Sequence, residues 1–381
     1  MINKKIGILG GGQLGKMLCQ AASKMSLDVS ILDSDTSYPA GQICSQFYVG
    51  NFKDHDSVID FGQKMDLLTI EIESVNTDAL KKLSQEGKDV YPQPEVVEII
   101  KDKGLQKKFY DKNGIPTSPF KILADKKEVI EALKAGEIDF PFVQKLRQGG
   151  YDGKGVQVIR SQDEIPTLFD APSVIESLVA IDKEISVIVA RNLDGEIKCY
   201  PPAEMIFNHE ANLLDYQVCP ARISDELAST SIDIATKVAA SYGIVGLLAV
   251  ELFLDKEGRI LVNEVAPRPH NSGHHTIEAA ITSQYEQHLR AILNLPLGNT
   301  DLICKSVLLN VLGAKGASGV AQVSGLADCL KQSGVHIHLY GKVTSKPFRK
   351  MGHVTITDDD LDRAIEKSKF VKDNLKVYAN G

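Results

Sequence analysis

The stretch from residue 6 to Asp33 contains the pattern that most restricts the possible folds. A short apolar run at 6–9 leads into a glycine-dense turn, Gly10–Gly15, and a second apolar run at 29–32 ends at Asp33. Between the two runs, apolar residues recur at spacings of three and four, which is typical of one face of a helix. Strand, turn, helix and strand in this order predict a parallel sheet covered by helices.

The glycine turn also matches the G-x-G-x-x-G spacing, with Asp33 about twenty residues further on. By itself this pattern predicts a dinucleotide site that binds NAD. A tight turn packed against a sheet needs glycines for steric reasons alone, and the rest of the chain offers no obvious hydride-transfer site. A nicotinamide-dependent dehydrogenase is therefore a remote alternative.

The pattern changes after Pro92 and Pro94, where a lysine-rich helix at 99–113 precedes short β-rich segments. The predicted fold class is α/β with α+β regions. We expect an N-terminal Rossmann-like domain with a parallel sheet at 1–98, a central domain at 99–298 with a small β-rich lid at about 118–180, and a small C-terminal domain at 299–381.

Charge and composition exclude several classes of function. The net charge of −7 lacks the basic field of a nucleic-acid binder. The longest apolar stretch, 244–250, is too short to cross a bilayer, and no secretory segment precedes the first strand. The six cysteines are scattered without a C-x-x-C pair, which fits a reducing compartment. We expect a cytoplasmic protein without nucleic-acid or membrane partners.

A second glycine-rich stretch, 148–155, looks like a phosphate-binding loop. Its Gly149, Gly153 and Lys154 are one residue too close together for a Walker A loop, and no Ser or Thr follows the lysine. Glycine-rich backbone can still cover phosphates with its amides, because glycine allows the close approach that this requires. A plain flexible hairpin is the alternative.

Two acidic residues, Glu251 and Glu264, flank a predicted hairpin turn at 255–258. If Asp255 pairs with Gly258, the two glutamates are diagonal neighbours on one face of the hairpin. A four-residue loop makes the glutamates direct cross-strand partners, whereas a three-residue loop puts them on opposite faces. Like charges on one face repel each other unless a cation lies between them. Oxygen ligands of this kind suit Mg²⁺, so the hairpin predicts a magnesium site.

Four side chains that can carry positive charge are candidates for binding an anion. Lys145 ends an apolar strand, where a lysine either extends to solvent or places its charge on a phosphate. Lys103, judged alone, is a surface residue. Arg268 and His270 stand close to further histidines that suggest a metal site, but an arginine there would oppose a divalent cation. This pair is better suited to an anion.

Taken together, these residues resemble the ATP-grasp superfamily and, within it, the N5-carboxyaminoimidazole ribonucleotide synthetase family of purine biosynthesis. The resemblance extends over nearly the whole chain. It rests on the motifs at 11–17, 149–155 and 263–274, and on Tyr-Gly-Lys at 340–342 with Arg-Lys-Met-Gly-His at 349–353. The motif at 263–274 is highly specific, whereas the glycine-rich opening alone is weak.

The resemblance implies an ATP-grasp fold, with ATP held between the lid and the central domain. It implies Mg²⁺ as a cofactor, held by Glu251 and Glu264. A histidine of the family near the nucleotide would be replaced here by Phe207 or His209. The other residues implied to bind ATP are Lys103, Lys145, Gly150, Tyr151, Asp152, Gly153, Lys154, Gly155, Val156, Glu176, Ser177, Leu178, Val179, Glu184, Asn263 and Glu264.

The same resemblance implies the reaction of ATP, bicarbonate and 5-aminoimidazole ribonucleotide to N5-carboxyaminoimidazole ribonucleotide, ADP and phosphate, and a homodimer. Arg268 and His270 would hold bicarbonate and then carboxyphosphate, and Asp152 would orient or deprotonate the substrate amine. The residues implied to bind the ribonucleotide are Gln13, Glu73, Tyr151, Asp152, Arg268, Lys342 and Arg349. Another ATP-grasp ligase that joins a carboxylate to an amine, and a nucleotide sensor without activity, remain alternatives.

Overall fold

The computed structural model describes residues 4–150, 155–208, 213–316 and 318–379. Its N-terminal part is a five-stranded sheet with the order β3-β2-β1-β4-β5, in which every pair is parallel. The strands are β1 (Lys5–Leu9), β2 (Asp28–Asp33), β3 (Gln46–Val49), β4 (Leu67–Ile70) and β5 (Asp89–Val90). The helices are α1 (Gln13–Ser23), α2 (His55–Gly62), α3 (Thr77–Gln85) and α4 (Pro94–Lys101). The predicted parallel sheet is confirmed.

The apolar periodicity between the first two strands produces the expected helix. Leu14, Met17 and Leu18 on α1 are buried against Ile6 and Ile31 of the sheet. A second apolar cluster, on the other face of the sheet, includes residues of α2 and α3. Helices therefore cover both faces, as expected for parallel strands that are apolar throughout.

The single helix predicted over 99–113 is wrong. The chain forms α4 and then a separate α5 (Lys103–Lys112), because Asp102 adopts an extended conformation with φ −113° and ψ 107°. Its carboxylate accepts hydrogen bonds from the N–H groups of Gly104 and Leu105 and so caps α5. An aspartate prefers this capping position to a helix interior, and the break places Lys103 at the start of a helix.

The lid is a four-stranded antiparallel sheet with the order β6-β9-β7-β8. Its strands are β6 (Phe120–Leu123), β7 (Phe142–Leu146), β8 (Val156–Ile159) and β9 (Ser173–Ser177), accompanied by α6 (Lys126–Lys134) and a 3₁₀ helix at Gln162–Thr167. Phe142, Ile159 and Ile175 of this sheet pack on Val129 of α6 and form a small separate core.

The remaining residues build a nine-stranded antiparallel sheet and a small three-stranded one. The strands are β10 (Ile181–Arg191), β11 (Ile197–Cys199), β12 (Ala203–Asn208), β13 (Leu213–Cys219), β14 (Gly246–Asp255), β15 (Ile260–Ala266), β16 (Lys305–Leu312), β17 (Gly319–Ser324), β18 (Val335–Leu339), β19 (Thr344–Ser345), β20 (Lys350–Asp358) and β21 (Lys376–Ala379). The helices are α7 (Asp225–Tyr242), α8 (Thr276–Ala279), α9 (Gln284–Ile292), α10 (Leu326–Leu330) and α11 (Leu361–Asn374), with a 3₁₀ turn at Asn271–Gly273.

The large sheet runs β15-β14-β10-β12-β13-β16-β20-β18, and β11 pairs with β10. Its strand β14 is apolar on both faces because helices lie on both sides. Leu248 and Val250 belong to the core that includes α7, whereas Leu247 and Ala249 belong to the core that includes α9. This packing fixes the hairpin of β14 and β15, which carries the acidic pair.

Candidate active site

Asp255 pairs with Arg259, the residue just before β15, so the loop that this pair closes has three residues, 256–258. The N–H of Asp255 donates to the carbonyl of Arg259 at 3.0 Å, which closes the turn around them. A three-residue loop by itself would place Glu251 and Glu264 on opposite faces of the hairpin. A second feature of the hairpin changes this outcome.

A β-bulge at Asn263 restores the acidic pair to one face. Near the turn Leu252 lies opposite Val262, but one position further along Glu251 lies opposite Glu264, and the pairing register shifts between them. The extra residue rotates the rest of β15, which is a common way to redirect a side chain near a functional site. The two carboxylates therefore become direct cross-strand neighbours, as the predicted magnesium site requires.

Two lysines come from other elements to this acidic hairpin. Lys103, at the start of α5, forms an ion pair with the Glu264 carboxylate. The Lys145 ammonium on β7 donates to Asn263 Oδ1 at 2.8 Å and lies 3.1 Å from Glu176 Oε1. The structure thus joins the lid, α5 and the central sheet at one place, as expected for residues that hold a nucleotide phosphate.

The position of Lys103 is fixed by its neighbours in the chain. Its N–H donates to the Arg147 carbonyl at 2.9 Å. The Arg147 guanidinium in turn donates through Nε and one terminal nitrogen to the two carboxylate oxygens of Asp102, at 2.9 and 2.6 Å. Bidentate pairs of this kind are geometrically specific. Asp102, which follows α4 and caps α5, therefore also connects α5 to the end of β7 through Arg147.

The electrostatics of the pair fit a divalent cation. Burial and the charge of Glu264 raise the pKa of Glu251, whereas the Lys103 ammonium lowers the pKa of Glu264. Two carboxylates and the Asn263 amide are an oxygen-only donor set, and Lys103 already provides positive charge there. Mg²⁺ typically takes one or two carboxylates and completes its shell with phosphate and water. In the described ranges no group of three His, Cys, Asp or Glu is arranged around a metal position.

The predicted anion pair lies just beyond β15. Arg268 Nε is 2.8 Å from Glu73 Oε1, so the arginine links the central domain to the loop after β4. The Nε2 atom of His270 is 3.6 Å from Glu251 Oε1. Arg268, His270 and Glu73 are thus adjacent to the acidic hairpin, while Gln13 begins α1 at the glycine turn.

Two hydrogen bonds hold the segment that carries Lys342 and Arg349, which are implied to bind the ribonucleotide. Lys342 Nζ donates to the carbonyl of Lys350 at 2.7 Å, and an Arg349 guanidinium nitrogen donates to the Thr344 carbonyl at 2.7 Å. On the opposite side, Lys16 of α1 donates to the Tyr340 carbonyl at 3.3 Å. The loop that carries the two cations is therefore anchored to the N-terminal domain.

The segment 176–179, which the resemblance implies to bind ATP, connects the lid to the large sheet. Ser177 ends β9, Leu178 is 41% exposed, and the Val179 carbonyl accepts from the N–H of Ile181 at 3.0 Å as β10 begins. Further along β10, burial raises the pKa of Glu184 to about 7. Exposed backbone next to a half-buried carboxylate suits a base and a ribose.

The other predicted nucleotide residues divide into described and undescribed ones. Gly150 and Gly155 flank the glycine loop, Val156 begins β8 opposite Lys145, and Phe207 is half-buried on β12. The remaining five lie outside the described residues: Tyr151, Asp152, Gly153, Lys154 and His209.

Glu176, one of the residues implied to bind ATP, has a buried carboxylate. Burial works against its charge, but Lys145 and Lys107 hold the pKa of Glu176 below its ordinary value, and Ser118 donates to it at 2.6 Å. Lys107 was missed by sequence reasoning. It lies 3.2 Å from the same carboxylate, and burial lowers its pKa to about 8. Its position in a lysine-rich helix gave no signal that would distinguish it from surface lysines.

Three amides of the first glycine turn donate to carboxylates of the chain itself. The N–H groups of Gly12 and Gly15 donate to the two Glu71 carboxylate oxygens at 2.7 and 2.6 Å, and the N–H of Gly11 donates to Asp33 at 2.7 Å. A dinucleotide pyrophosphate would need these donors. Because the chain's own carboxylates take them, the geometry argues against the nicotinamide alternative.

Family models match the chain in three consecutive parts. A ribonucleotide synthetase preATP-grasp domain matches residues 3–101, an ATP-grasp domain matches 108–285, and a phosphoribosylaminoimidazole carboxylase C-terminal domain matches 306–367. The N5-carboxyaminoimidazole ribonucleotide synthase of Bacillus subtilis is 37% identical over 367 residues, which cover 95% of this chain and 93% of that protein. The chain belongs to the N5-carboxyaminoimidazole ribonucleotide synthetase family.

Solved structures of the family superpose closely on this chain. The N5-carboxyaminoimidazole ribonucleotide synthetase of Thermotoga maritima gives a TM-score of 0.91 at 43% identity and covers 99% of this chain and 100% of its own. The Aspergillus clavatus enzyme in complex with ADP and 5-aminoimidazole ribonucleotide gives 0.89 at 32% identity, with 97% and 98% covered. The predicted family, the ATP-grasp fold and the ATP-dependent ligase class are confirmed.

Within the described residues, no helix is both long and apolar enough to traverse a lipid bilayer.

Proposed function

We propose that this chain carboxylates 5-aminoimidazole ribonucleotide with bicarbonate at the expense of ATP. The products are N5-carboxyaminoimidazole ribonucleotide, ADP and phosphate, in the route to IMP. One observation carries the proposal: a facing carboxylate pair with two lysines stands beside an arginine and a histidine suited to an anion. A phosphate-transfer site and a bicarbonate site are thereby adjacent.

The nucleotide occupies the junction of the lid and the large sheet. Lys103 and Lys145 contact its phosphates, Glu184 accepts from the ribose hydroxyls, and Phe207 or His209 packs near the base. Backbone of the following residues encloses the rest of the nucleotide: Gly150, Tyr151, Asp152, Gly153, Lys154, Gly155, Val156, Glu176, Ser177, Leu178 and Val179. The support is the position of the described members around the acidic hairpin.

Glu251, Glu264 and Asn263 would hold a magnesium ion, which would neutralise phosphate charge there. Bicarbonate is a poor electrophile, so one of its oxygens first attacks the γ-phosphorus and ADP leaves. This step needs alignment and charge stabilisation more than covalent participation of the protein. The Lys145 ammonium, directed at Asn263, and Lys103, directed at Glu264, provide preorganised positive charge for it.

Arg268 and His270 hold bicarbonate and then the carboxyphosphate that forms from it. The substrate amine attacks the carbonyl carbon, the nitrogen loses a proton and phosphate leaves. Asp152, on the glycine loop, orients that amine or accepts its proton. Closure of the loop excludes water, which would otherwise hydrolyse the carboxyphosphate.

The ribonucleotide binds where the N-terminal and C-terminal domains meet. Lys342 and Arg349 contact its 5′-phosphate, because a dianion requires paired cations. The residues that surround the remainder of the molecule are Gln13, Glu73, Tyr151, Asp152 and Arg268. The anchoring of the Lys342 loop to α1 supports this placement.

Three coarser features belong to the same proposal. The chain divides into domains at 1–98, 99–298 and 299–381, with the lid at about 118–180. It acts in the cytoplasm and forms a homodimer. Sedimentation velocity of the purified protein tests the dimer, and a single species with the mass of one chain would contradict it.

The decisive assay is ADP release at fixed bicarbonate, with and without 5-aminoimidazole ribonucleotide. We expect release to depend on the ribonucleotide and the carboxylated product to form in equal amount. ADP release that depends on an amino acid and not on bicarbonate would instead indicate another ATP-grasp ligase. ATP binding without turnover on any acceptor would indicate a nucleotide sensor.

A further inference from the structure

Two buried serines lie behind the histidine of the anion pair. Ser272 is 1% exposed and follows His270 by two residues, while Ser186 is 2% exposed on β10. Ser186 lies directly opposite Glu251 in the sheet, and Glu251 lies opposite Glu264. Ser186 therefore extends the row of polar residues that crosses the acidic hairpin, although neither serine stood out in the sequence.

The contacts of the His270 ring determine which nitrogen carries its proton. Ser272 Oγ lies 2.8 Å from Nδ1, and the backbone N–H of Ser272 donates to the same Nδ1 at 3.3 Å. A backbone N–H can only donate, so Nδ1 must be an acceptor. The ring is then the neutral tautomer with hydrogen on Nε2, the atom that faces Glu251.

The hydroxyl groups of Ser272 and Ser186 form a hydrogen-bonded chain that leads away from the His270 ring. Because Nδ1 accepts, the Ser272 hydroxyl donates to it, and its oxygen remains available as an acceptor. Ser186 Oγ is 2.7 Å from Ser272 Oγ and can only complete the chain as the donor. The direction from Ser186 through Ser272 to His270 is thus set by one backbone amide.

We propose that Ser272 and Ser186 are positioning residues that hold His270 with its Nε2–H group facing the bicarbonate site. This inference rests on the proposed function, in which His270 contacts bicarbonate and carboxyphosphate. An anion needs hydrogen-bond donors, and the opposite tautomer would present a lone pair to it. The ring then acts as a fixed donor to an anion oxygen, and a different group accepts the proton of the substrate amine.

The tautomer can be measured without any turnover. Histidine-selective ¹⁵N labelling of the full chain at about pH 8 separates neutral tautomers from each other and from the cation. The His270 signals are assigned by their loss in His270→Gln. We expect the Nε2–H form in the wild-type protein. In Ser272→Ala we expect a smaller excess of this tautomer, because only the backbone N–H at 3.3 Å still donates to Nδ1. A wild-type ring protonated on Nδ1, alone or together with Nε2, would overturn the proposal.

Kinetics then test whether the position of the ring matters. In Ser272→Ala we expect kcat for carboxylation to fall about tenfold or more, the usual scale for losing an outer partner of a functional histidine. The KM for ATP should change less than about twofold, because the hydrogen bonds of Ser272 among the described residues go to none of the proposed nucleotide residues. Ser186→Ala should give a smaller loss, of about threefold, since it acts through Ser272.

Ser306→Ala is the matched control. Ser306 is also fully buried, but its hydroxyl has no hydrogen-bond partner among the described residues, and it lies on β16. Ser272→Ala with the same kcat as Ser306→Ala would overturn the positioning proposal while the reaction itself stands. A wild-type enzyme whose ADP release ignores the ribonucleotide would instead overturn the proposed function, and the tautomer measurement would still decide the hydrogen-bond direction.

Discussion

Replacing Glu264 with glutamine is the sharpest test of the proposed phosphate-transfer site. The variant keeps the shape of the side chain and removes one of the two facing charges. The substitution deprives Lys103 of its ion-pair partner, and it also relieves the repulsion from Glu264 that, after burial, raises the pKa of Glu251. In the enzyme with ATP it leaves the magnesium ion with one carboxylate.

The effects on stability and on rate should differ in size. The Glu264 side chain is 40% exposed, so losing its ion pair costs about 1 kcal/mol at most, and the relieved repulsion from Glu251 offsets part of this. The free energy of unfolding should therefore change little. Removing one preorganised electrostatic group typically lowers kcat by about 100- to 1,000-fold, or about 2.7–4 kcal/mol. We expect a loss of at least ~100-fold in ADP formation.

The assay couples ADP release to NADH oxidation at saturating ribonucleotide and bicarbonate, over a titration of Mg²⁺. Glu257→Gln is the control, because Glu257 lies in the turn of the same hairpin and its side chain is 71% exposed. That variant should keep the wild-type rate. If Glu264→Gln turns over at a near-normal rate at ordinary Mg²⁺, the carboxylate pair is not the metal site.

Three further predictions address the other parts of the site. Arg268→Lys should leave ATP binding by calorimetry nearly unchanged and lower carboxylation strongly, since lysine keeps the charge but loses the planar fork; a large loss of ATP affinity would place Arg268 on the nucleotide. Lys342→Ala with Arg349→Ala should raise the KM for the ribonucleotide by ~100-fold or more, at about 1.5–3 kcal/mol per charged hydrogen bond; an unchanged KM would contradict the phosphate role. Burial raises the pKa of Glu184 to about 7, so protonation below that pH should raise the KM for ATP, and Glu184→Gln should remove this pH dependence; a wild-type KM that stays flat from pH 8 to pH 6 would refute it.

The N-terminal fold was predictable because its signals are local. Apolar periodicity between 6 and 33 reports burial directly, and the parallel sheet of β1–β5 follows from the strand and helix order. The break in the lysine-rich stretch was harder to predict, because lysine and glutamine favour a helix on either side of Asp102. One capping carboxylate broke it in two, and its Arg147 partner lies 45 residues away in the chain. A contact between residues so far apart in the chain produces no periodic pattern in the sequence.

The acidic site was predictable in its residues but not in its geometry. Three registers remained open for the hairpin because loop length cannot be read from Asp255–Gly258 alone. The structure combines the unfavourable loop with a bulge at Asn263, and together they place Glu251 opposite Glu264. The bulge depends on packing across β10, β14 and β15, so no local sequence pattern predicts it. Ser186, which this sheet aligns with the pair, was invisible for the same reason.

The glycine turn shows why a sequence motif can determine the conformation of the backbone without determining which ligand binds there. Glycines at 10–15 let a strand turn sharply into α1 and bring several N–H groups to the start of the helix, where negative charge is favoured. Any suitably placed anion satisfies those donors. In this chain Glu71 directly follows β4, and its carboxylate accepts hydrogen bonds from two of those N–H groups. It does this although burial raises the pKa of Glu71 and opposes its charge. Glu73, two residues later, then lies where it can pair with Arg268. The turn that in a dinucleotide-binding protein would hold pyrophosphate here fixes the loop that connects the N-terminal sheet to the proposed bicarbonate site.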